Sequence, residues 1–228
     1  MIYAIGDSHA GLFNGSVEGT TYVQPQYGHD YKIDEGKFIK LHQNPQNDFL
    51  VKDKNFISIR TGANTAYNML TRVDLVDDIV KQYKIKDTDY ILFCYGEIDT
   101  REHIGKQQEA GRDLQEIIDN LADRYIEFVN RYKDMGYNVI VWGVIPAGRS
   151  TVRAHRLYWT AGERNRLSEL INNAFHDRCK KSNIDFVSIW PDLMDSLDPH
   201  SYFADDIHLN YDRCKDFIYN RLSQYMEK

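Results

Sequence analysis

Residues 2–9 read Ile-Tyr-Ala-Ile-Gly-Asp-Ser-His, a short apolar run that stops at Gly6 and gives way at once to polar side chains. Apolar strands without polar alternation are typical of parallel sheets that are covered on both faces. A glycine at the end of such a strand permits a sharp turn and leaves the next hydroxyl exposed at the sheet edge. This stretch therefore predicts a buried strand, which we expect at the centre of the sheet, with Ser8 at its carboxyl end.

Four further apolar runs follow along the chain, at residues 56–59, 90–95, 139–145 and 186–189. Amphipathic segments with apolar side chains three and four residues apart separate or follow them, at residues 69–83, 114–132, 167–175 and 217–225. Such alternation of strands and helices predicts the α/β class. We expect a three-layer α/β/α sandwich around a central five-stranded parallel sheet, built as one domain over residues 1–228.

Composition excludes several classes of protein. The 228 residues carry 28 Lys and Arg against 34 Asp and Glu, a formal charge of −6, so we expect no nucleic-acid partner. No apolar run approaches the roughly 18 residues of a membrane span, and residues 1–5 are too short for a signal-peptide core. Three scattered cysteines suit buried thiols better than a disulfide framework. These features predict a cytoplasmic protein without a membrane span.

Two regions do not follow the alternation of strands and helices. Residues 13–55 show no clean period and receive no assignment. Residues 146–162 form a loop rich in arginine and aromatic side chains after the fourth predicted strand. Because ligands bind outside the carboxyl ends of strands in open α/β sheets, this loop either covers a site or is a solvated connection.

Ser8 is a candidate nucleophile that needs a base, because a serine hydroxyl attacks poorly until a neighbour accepts its proton. Asp205 and His208 are three residues apart, close enough for the carboxylate to hold imidazole Nδ1–H and leave Nε2 for the serine. This spacing alone is common by chance. The pair, however, follows the last predicted strand, at the sheet edge where Ser8 should also emerge, which favours a catalytic triad of Ser8, His208 and Asp205.

Gly6-Asp7-Ser8 on the first strand, with Asp205-x-x-His208 before the last helix, resembles the SGNH (GDSL-type) hydrolases. The resemblance covers essentially the whole chain and implies a flavodoxin-like fold. It implies a serine esterase that forms an acyl-enzyme, or an acyltransferase on the same fold. The expected substrate is a small-molecule or glycan ester, most simply an acetyl ester on a sugar. This chemistry requires no metal and no organic cofactor.

Two further blocks of that family contribute to its oxyanion hole. Thr61-Gly62-Ala63-Asn64 fits the block whose glycine N–H points into the hole. Gly96-Glu97-Ile98-Asp99 corresponds to Gly-x-Asn-Asp, but Ile98 stands where the family has the asparagine donor. One such donor is worth on the order of 3–4 kcal/mol of barrier, and isoleucine cannot donate.

We therefore expect an oxyanion hole built from the backbone N–H groups of Ser8 and Gly62, with Asn64 or Arg101 as the replacement donor. Four charged residues near the same edge are candidates for substrate binding: Asp7, Glu97, Asp99 and Arg101. Glu97, Asp99 and Arg101 instead fit a charge network that orders the loop. In the binding interpretation, Arg101 holds a polar or anionic substrate group.

Three other interpretations remain open. Asp7-Ser8-His9 has the Asp-x-His spacing of calcineurin-like metallophosphoesterases, although the Gly-Asn-His that this family also needs is missing. Gly6, Gly11 and Gly15 follow a strand as in nucleotide-binding folds, but at the wrong spacing. A non-catalytic, glycan-binding member of the SGNH family would explain the loss of the asparagine donor.

Overall fold

The computed structural model describes residues 1–14, 55–148, 158–205 and 207–226. Expectations for residues 15–54, and for most of the arginine-rich loop, lie outside these residues. The strands are β1 (Ile2–Gly6), β2 (Phe56–Arg60), β3 (Tyr90–Cys94), β4 (Asn138–Trp142) and β5 (Asp185–Val187). They form one parallel sheet in the order β2-β1-β3-β4-β5. The predicted five-stranded parallel sheet is confirmed.

The expectation that β1 is the central strand is wrong. β3 occupies the middle of the sheet, and β1 lies between β2 and β3, one strand from the edge. Burial on both faces requires only a partner strand on each side and a layer above and below. β1 has these at the second position, where all five of its residues are buried.

The helices are α1 (Val73–Tyr83), α2 (Ile104–Glu109), α3 (Leu114–Asp134), α4 (Ala161–Lys181), α5 (Trp190–Met194) and α6 (Tyr211–Met226). Short 3₁₀ turns span Ser8–Asn14, Ala66–Thr71 and Pro199–Tyr202, and a π-helical turn spans Asp99–His103. The predicted segment 69–83 is divided at Arg72, whose φ of −122° and ψ of 24° are not helical. α4 starts earlier than predicted, because Thr160 and Glu163 form a capping box.

The sheet is covered on both faces, as the absence of polar alternation predicts. Tyr3 and Ile5 of β1 pack into the cluster formed with α1, α3 and α4. Ile2 and Ala4 point the other way, into a cluster formed with the Ser8–Asn14 turn, α5 and α6. These clusters are the two cores of a three-layer α/β/α sandwich.

The strand register aligns three of the sequence blocks. Gly6 of β1 pairs with Arg60 of β2 on one side and with Cys94 of β3 on the other. Ser8, Gly62 and Gly96 therefore each lie two residues beyond the same level of the sheet. The fold thus brings the nucleophile candidate and both oxyanion blocks to one edge.

Candidate active site

Ser8 follows a point where two strands approach unusually closely. A Cβ atom on Gly6 would lie 2.1 Å from the carbonyl oxygen of Cys94, so any side chain there would push β1 away from β3. The N–H of Asp7 donates to that same oxygen at 3.2 Å. Directly after this contact the chain turns into the Ser8–Asn14 segment, which leaves Ser8 partly exposed.

The loop before α6 presents His208 to Ser8. Its ends are joined by an antiparallel bridge between Phe203 and Leu209, and Ala204 N–H donates to the carbonyl of His208 at 2.8 Å. The guanidinium of Arg213, in α6, donates to the carbonyl oxygens of Ser201 and Phe203. These bonds fix the backbone on both sides of His208.

A continuous hydrogen-bonded chain joins Asp205, His208 and Ser8. Asp205 Oδ2 lies 2.8 Å from His208 Nδ1, and His208 Nε2 lies 2.8 Å from Ser8 Oγ. Asp205 Oδ1 also accepts the backbone N–H groups of Ile207 and His208, each at 2.7 Å. Two residues from the far end of the chain thus reach the first strand.

The pKa shifts of His208 and Asp205 favour a neutral imidazole beside an ionised carboxylate. Burial lowers the pKa of His208 and outweighs the opposing effect of Asp205. Burial raises the pKa of Asp205, but the hydrogen bonds from His208 and Ile207 lower it by more, so its pKa lies below the ordinary range. With Nδ1–H donated to Asp205, Nε2 of His208 is left to accept the Ser8 proton.

Gly62 has the left-handed backbone that the second block requires, with φ of +86°. Within the described part of the chain, no group accepts a hydrogen bond from its N–H. The preceding Thr61 is anchored, since its N–H and its hydroxyl both donate to Gly6 carbonyl oxygen, at 2.7 and 2.9 Å. Gly62 N–H is therefore a donor in a fixed position that has no acceptor among the described residues.

Asn64 does not direct its amide freely at the site. Its Nδ2 donates to the carbonyl of Thr61 at 2.5 Å, and its backbone N–H donates to Gly62 carbonyl oxygen at 2.8 Å. Both bonds tighten the turn around Gly62. A role as oxyanion donor would depend on the second hydrogen of Nδ2, so the expectation for Asn64 stays a prediction.

Asp99 is fully buried and serves the protein's own backbone. It accepts the N–H of Ala66 at 2.7 Å and that of Tyr67 at 3.4 Å, at the start of the turn that follows the Gly62 block. Burial raises the pKa of Asp99 to about 7. This placement differs from the expected substrate contact, because the carboxylate is shielded and already occupied. It links the third block to the second.

The other predicted substrate contacts form a buried ion-pair network. Arg101 Nε donates to Glu97 Oε1 at 3.0 Å, and Glu97 Oε2 lies 3.2 Å from His9 Nε2. The backbone N–H of His9 donates to Asp7 Oδ1 at 2.8 Å. Asp7, Glu97 and Arg101 expose 6% of their surface or less. The loop-ordering interpretation fits these positions, whereas direct contact with substrate does not, and Arg101 is not placed as a free oxyanion donor.

Two residues near the site were missed by the sequence analysis. The ring of His9 packs against that of His208, with centroids 5.0 Å apart and planes inclined by 33°. Arg60, at the end of β2, acts electrostatically on both Asp7 and His208. The signal for His9 was its position next to Ser8, whereas that for Arg60 was its position two residues before Gly62.

Two further features bear on the alternatives. Among the described residues, no group of three or more His, Cys, Asp or Glu side chains is arranged to hold a metal ion. The same part of the chain contains no helix that is both long and apolar enough to cross a membrane.

Comparison with known proteins identifies the family. A GDSL-like lipase from Bacteroides thetaiotaomicron shares the fold at 13% identity and a TM-score of 0.56, over 99% of this chain and 87% of that one. A mutant of an acetyl-xylooligosaccharide esterase from Geobacillus gives 14% identity and a TM-score of 0.54, over 100% and 94% of the two chains.

A member of the lipolytic G-D-S-L family from Veillonella parvula gives 13% identity and a TM-score of 0.50, over 100% of this chain and 98% of that one. No curated protein sequence matches the chain. The family model for GDSL-like lipases and acylhydrolases matches residues 2–212, which confirms the resemblance inferred from the sequence blocks. The chain therefore belongs to the GDSL-like lipase/acylhydrolase family and is an ester-bond hydrolase.

Proposed function

We propose that this hydrolase is a serine esterase that removes a small acyl group, most simply acetyl, from a hydroxyl of a carbohydrate. The observation that carries the mechanism is the continuous chain from Asp205 through His208 to Ser8, with both links at 2.8 Å. In such a chain the serine is the nucleophile, the histidine the base, and the carboxylate holds the histidine in the correct tautomer.

The reaction runs in two halves. Ser8 Oγ attacks the ester carbonyl carbon while its proton passes to His208 Nε2. The tetrahedral intermediate collapses to an acyl-enzyme, and His208 returns the proton to the departing alcohol oxygen. Water then enters, gives a proton to His208 and attacks the acyl carbonyl carbon. When this second tetrahedral intermediate collapses, the bond from the acyl carbon to Ser8 Oγ breaks, His208 returns the proton to Ser8 Oγ, and the carboxylic acid leaves. Asp205 stays ionised throughout, in line with the lowered pKa of its carboxyl.

The negative charge that develops on the carbonyl oxygen needs donors. Gly62 N–H is a candidate because it is fixed by the Thr61 anchor and has no acceptor in the described part of the chain. Ser8 N–H is the second donor that we propose, since Ser8 and Gly62 leave the sheet at the same level. Asn64 completes the hole only if its second amide hydrogen faces it. Ile98 offers nothing here, so fewer donors would serve than in relatives that have an asparagine.

The choice of substrate rests on two supports. One solved structure with this fold is named as an acetyl-xylooligosaccharide esterase. The loop at residues 146–162 is polar and aromatic in sequence, which favours a polar acyl carrier over a long hydrocarbon chain. The first supports an acetyl group on a sugar, and the second supports a polar carrier for the acyl group.

The test is hydrolysis of p-nitrophenyl acetate and of acetylated xylooligosaccharides by EDTA-treated protein. We expect turnover by the wild type, and a loss on the order of 10⁴-fold or more in Ser8→Ala, because removal of the nucleophile leaves only binding and the oxyanion donors. Ser201→Ala is the matched control. It is an exposed serine whose hydroxyl donates to the carbonyl of Asp198, and it should keep wild-type rates.

Mass spectrometry provides a second readout. A phosphonate ester that reacts with activated serines should label the peptide containing Ser8 in the wild type and leave it unlabelled in Ser8→Ala. Turnover that survives in Ser8→Ala would overturn the proposed nucleophile. Activity confined to simple acetates, with none on acetylated sugars, would overturn the proposed substrate, and acyl transfer to an added sugar hydroxyl would replace hydrolysis with transferase chemistry.

A further inference from the structure

His9 stands where the motif that names the family has a leucine. The motif after which the family is named spells Gly-Asp-Ser-Leu, whereas this chain has Gly6-Asp7-Ser8-His9. A buried leucine would contribute only packing at this point. A histidine here also brings two hydrogen-bonding nitrogens and a potential charge next to the nucleophile.

The surroundings of His9 are built to hold it. Its exposed fraction is 8%, and its Nε2 lies 3.2 Å from Oε2 of Glu97, a residue 88 positions away. Arg101 holds Glu97 from the other side with contacts of 3.0 and 3.2 Å, so the carboxylate lies between the Arg101 guanidinium and the His9 imidazole. The backbone N–H of His9 is held by Asp7.

The His9 ring also contacts the ring of His208. The two ring centroids lie 5.0 Å apart and the ring planes are inclined by 33°, so the rings are in tilted contact. His208 is held by Asp205 at Nδ1 and points Nε2 at Ser8. The two histidines therefore form adjacent carboxylate–imidazole pairs, Glu97 with His9 and Asp205 with His208.

Burial and the neighbouring charges together shift the pKa values of the two histidines in opposite directions. Burial lowers the pKa of His9, but Asp7 and Glu97 raise it by more, so the His9 pKa lies above the ordinary value. Burial raises the pKa of Glu97, but His9 and Arg101 bring it down to about 2.

The pKa of His208 is instead lowered from its ordinary value. Burial lowers its pKa, Asp205 raises it, and the neighbouring His9 and Arg60 lower it. Asp7 faces His9 and Arg60, and Arg164 of α4 acts on Glu97. A cation next to His208 disfavours a second positive charge on it.

We propose that the His9–Glu97 ion pair positions the base of the reaction: the His9 ring packs against the ring of His208, and its charge keeps His208 in the unprotonated form that can accept the Ser8 proton. The inference rests on the proposed function of Ser8 and His208. It makes His9 a positioning residue, since it acts through His208 and contacts no reacting atom. Its consequence is an esterase that works at lower pH than an ordinary histidine would allow.

The test is the pH dependence of kcat/KM on p-nitrophenyl acetate in His9→Phe and Glu97→Gln, beside the wild type. Phenylalanine keeps a ring against His208 but removes the charge, and Glu97 keeps Arg101 as a partner. The acid limb of kcat/KM reports the base of the free enzyme. We expect it to move to higher pH in both variants, so that the loss relative to wild type is roughly three- to tenfold larger at pH 5 than at pH 8.

Matched controls separate this effect from general damage. His176→Phe replaces an exposed histidine of α4 and should leave the pH profile unchanged. NMR titration of the imidazole signals gives a readout that does not need turnover, with the His208 transition expected at higher pH in His9→Phe. Should either His9→Phe or Glu97→Gln fail to fold, the other still tests the ion pair.

Superimposable acid limbs and an unchanged His208 titration would overturn the proposal. A uniform loss at all pH values would reduce His9 to a packing role and overturn it too. The proposed function fails in a different way, through turnover that persists in Ser8→Ala.

Discussion

Asp205 performs three tasks with one carboxylate, which makes it the most informative single residue of the site. Oδ2 holds His208 Nδ1–H, while Oδ1 caps the backbone N–H groups of Ile207 and His208. Half of its side chain is exposed, at 51%, whereas that of His208 is exposed by only 17%. The carboxylate therefore sets the orientation of the base from the solvent side.

Asp205→Asn keeps the size of the side chain and an oxygen that can accept the backbone N–H groups. It removes the negative charge and places either the amide NH₂ or a neutral oxygen opposite His208 Nδ1. The wrong tautomer of His208 is then favoured, and we expect kcat on p-nitrophenyl acetate to fall by about 10²- to 10⁴-fold with little change in KM. Asp198→Asn is the control, because Asp198 likewise caps a backbone N–H, that of His200, in the same loop. A loss of less than about tenfold in Asp205→Asn would mean that His208 is oriented by other contacts.

Single residues also show which positions sequence reasoning can predict and which it cannot. Ser8, His208 and Asp205 were predicted to come together because each follows a recognisable element and belongs to a spaced motif, and the structure brings them together. The role of Asp99 was not predictable in this way. Its acceptor function depends on Ala66 and Tyr67, whose N–H groups become available only because a 3₁₀ turn begins there.

The ends of β1, β2 and β3 are connected by a short chain of buried hydroxyls. Thr61 hydroxyl donates to Gly6 carbonyl oxygen at 2.9 Å and lies 3.0 Å from Tyr95 hydroxyl. Because the single hydroxyl hydrogen of Thr61 is donated to Gly6, the Tyr95 hydroxyl is the donor in the second bond. These bonds join the end of β1, which precedes Ser8, to the end of β2, which precedes Gly62, and join the end of β2 to that of β3.

Thr61→Val removes both bonds and leaves the Tyr95 hydroxyl buried without its acceptor. We expect a loss of about 1–3 kcal/mol in the free energy of unfolding, measured in urea. Because Gly62 then shifts, kcat should fall by roughly tenfold or more while KM changes little. Tyr95→Phe removes only the outer bond and leaves the Gly6 contact, so its effects should be smaller in both measurements. Equal effects of the two substitutions, or none, would contradict this coupling.

Strand boundaries illustrate what pattern alone can and cannot predict at this scale. The run at residues 139–145 predicts one long strand, but β4 ends at Trp142. Beyond it, Asn172 of α4 takes over both backbone groups of Val144, with bonds of 2.7 and 2.9 Å. An amide side chain that imitates a strand partner leaves the apolar pattern unchanged, so periodicity cannot distinguish the two.

For the whole molecule, the sheet and its two cores follow from the sequence because the strands are short and mostly apolar, and helices lie between β2 and β3, between β3 and β4, and between β4 and β5. The middle position of β3 was not predicted, since strand order depends on crossovers that leave no local signal. The buried charges were only partly foreseen. Asp7, Glu97, Asp99 and Arg101 gather under the site from two strand ends, and their desolvation is a property of the assembled fold.

That gathering makes the stability of the molecule depend on pH in a direction that can be worked out. Burial raises the pKa of Asp99 to about 7 and that of Asp7 to about 6, from an ordinary 3.8. A carboxyl that binds its proton more tightly when folded stabilises the fold fully below pH 3.8 and loses that contribution as pH rises through the folded pKa. Glu97, with its pKa lowered to about 2, acts oppositely and only at acid pH.

Asp99→Asn removes one of these titrations while an amide oxygen still accepts Ala66 N–H. Between pH 5 and pH 7 we expect the wild type to lose stability relative to this variant, by up to about 1.4 kcal/mol per pH unit, the limit for one proton. Urea unfolding at pH 5, 6, 7 and 8 measures the difference, with Asp87→Asn at an exposed position as the control. Parallel curves for wild type and Asp99→Asn would mean that Asp99 does not take up its proton on folding, and the cost of its burial would then have to be met by the two backbone N–H groups alone.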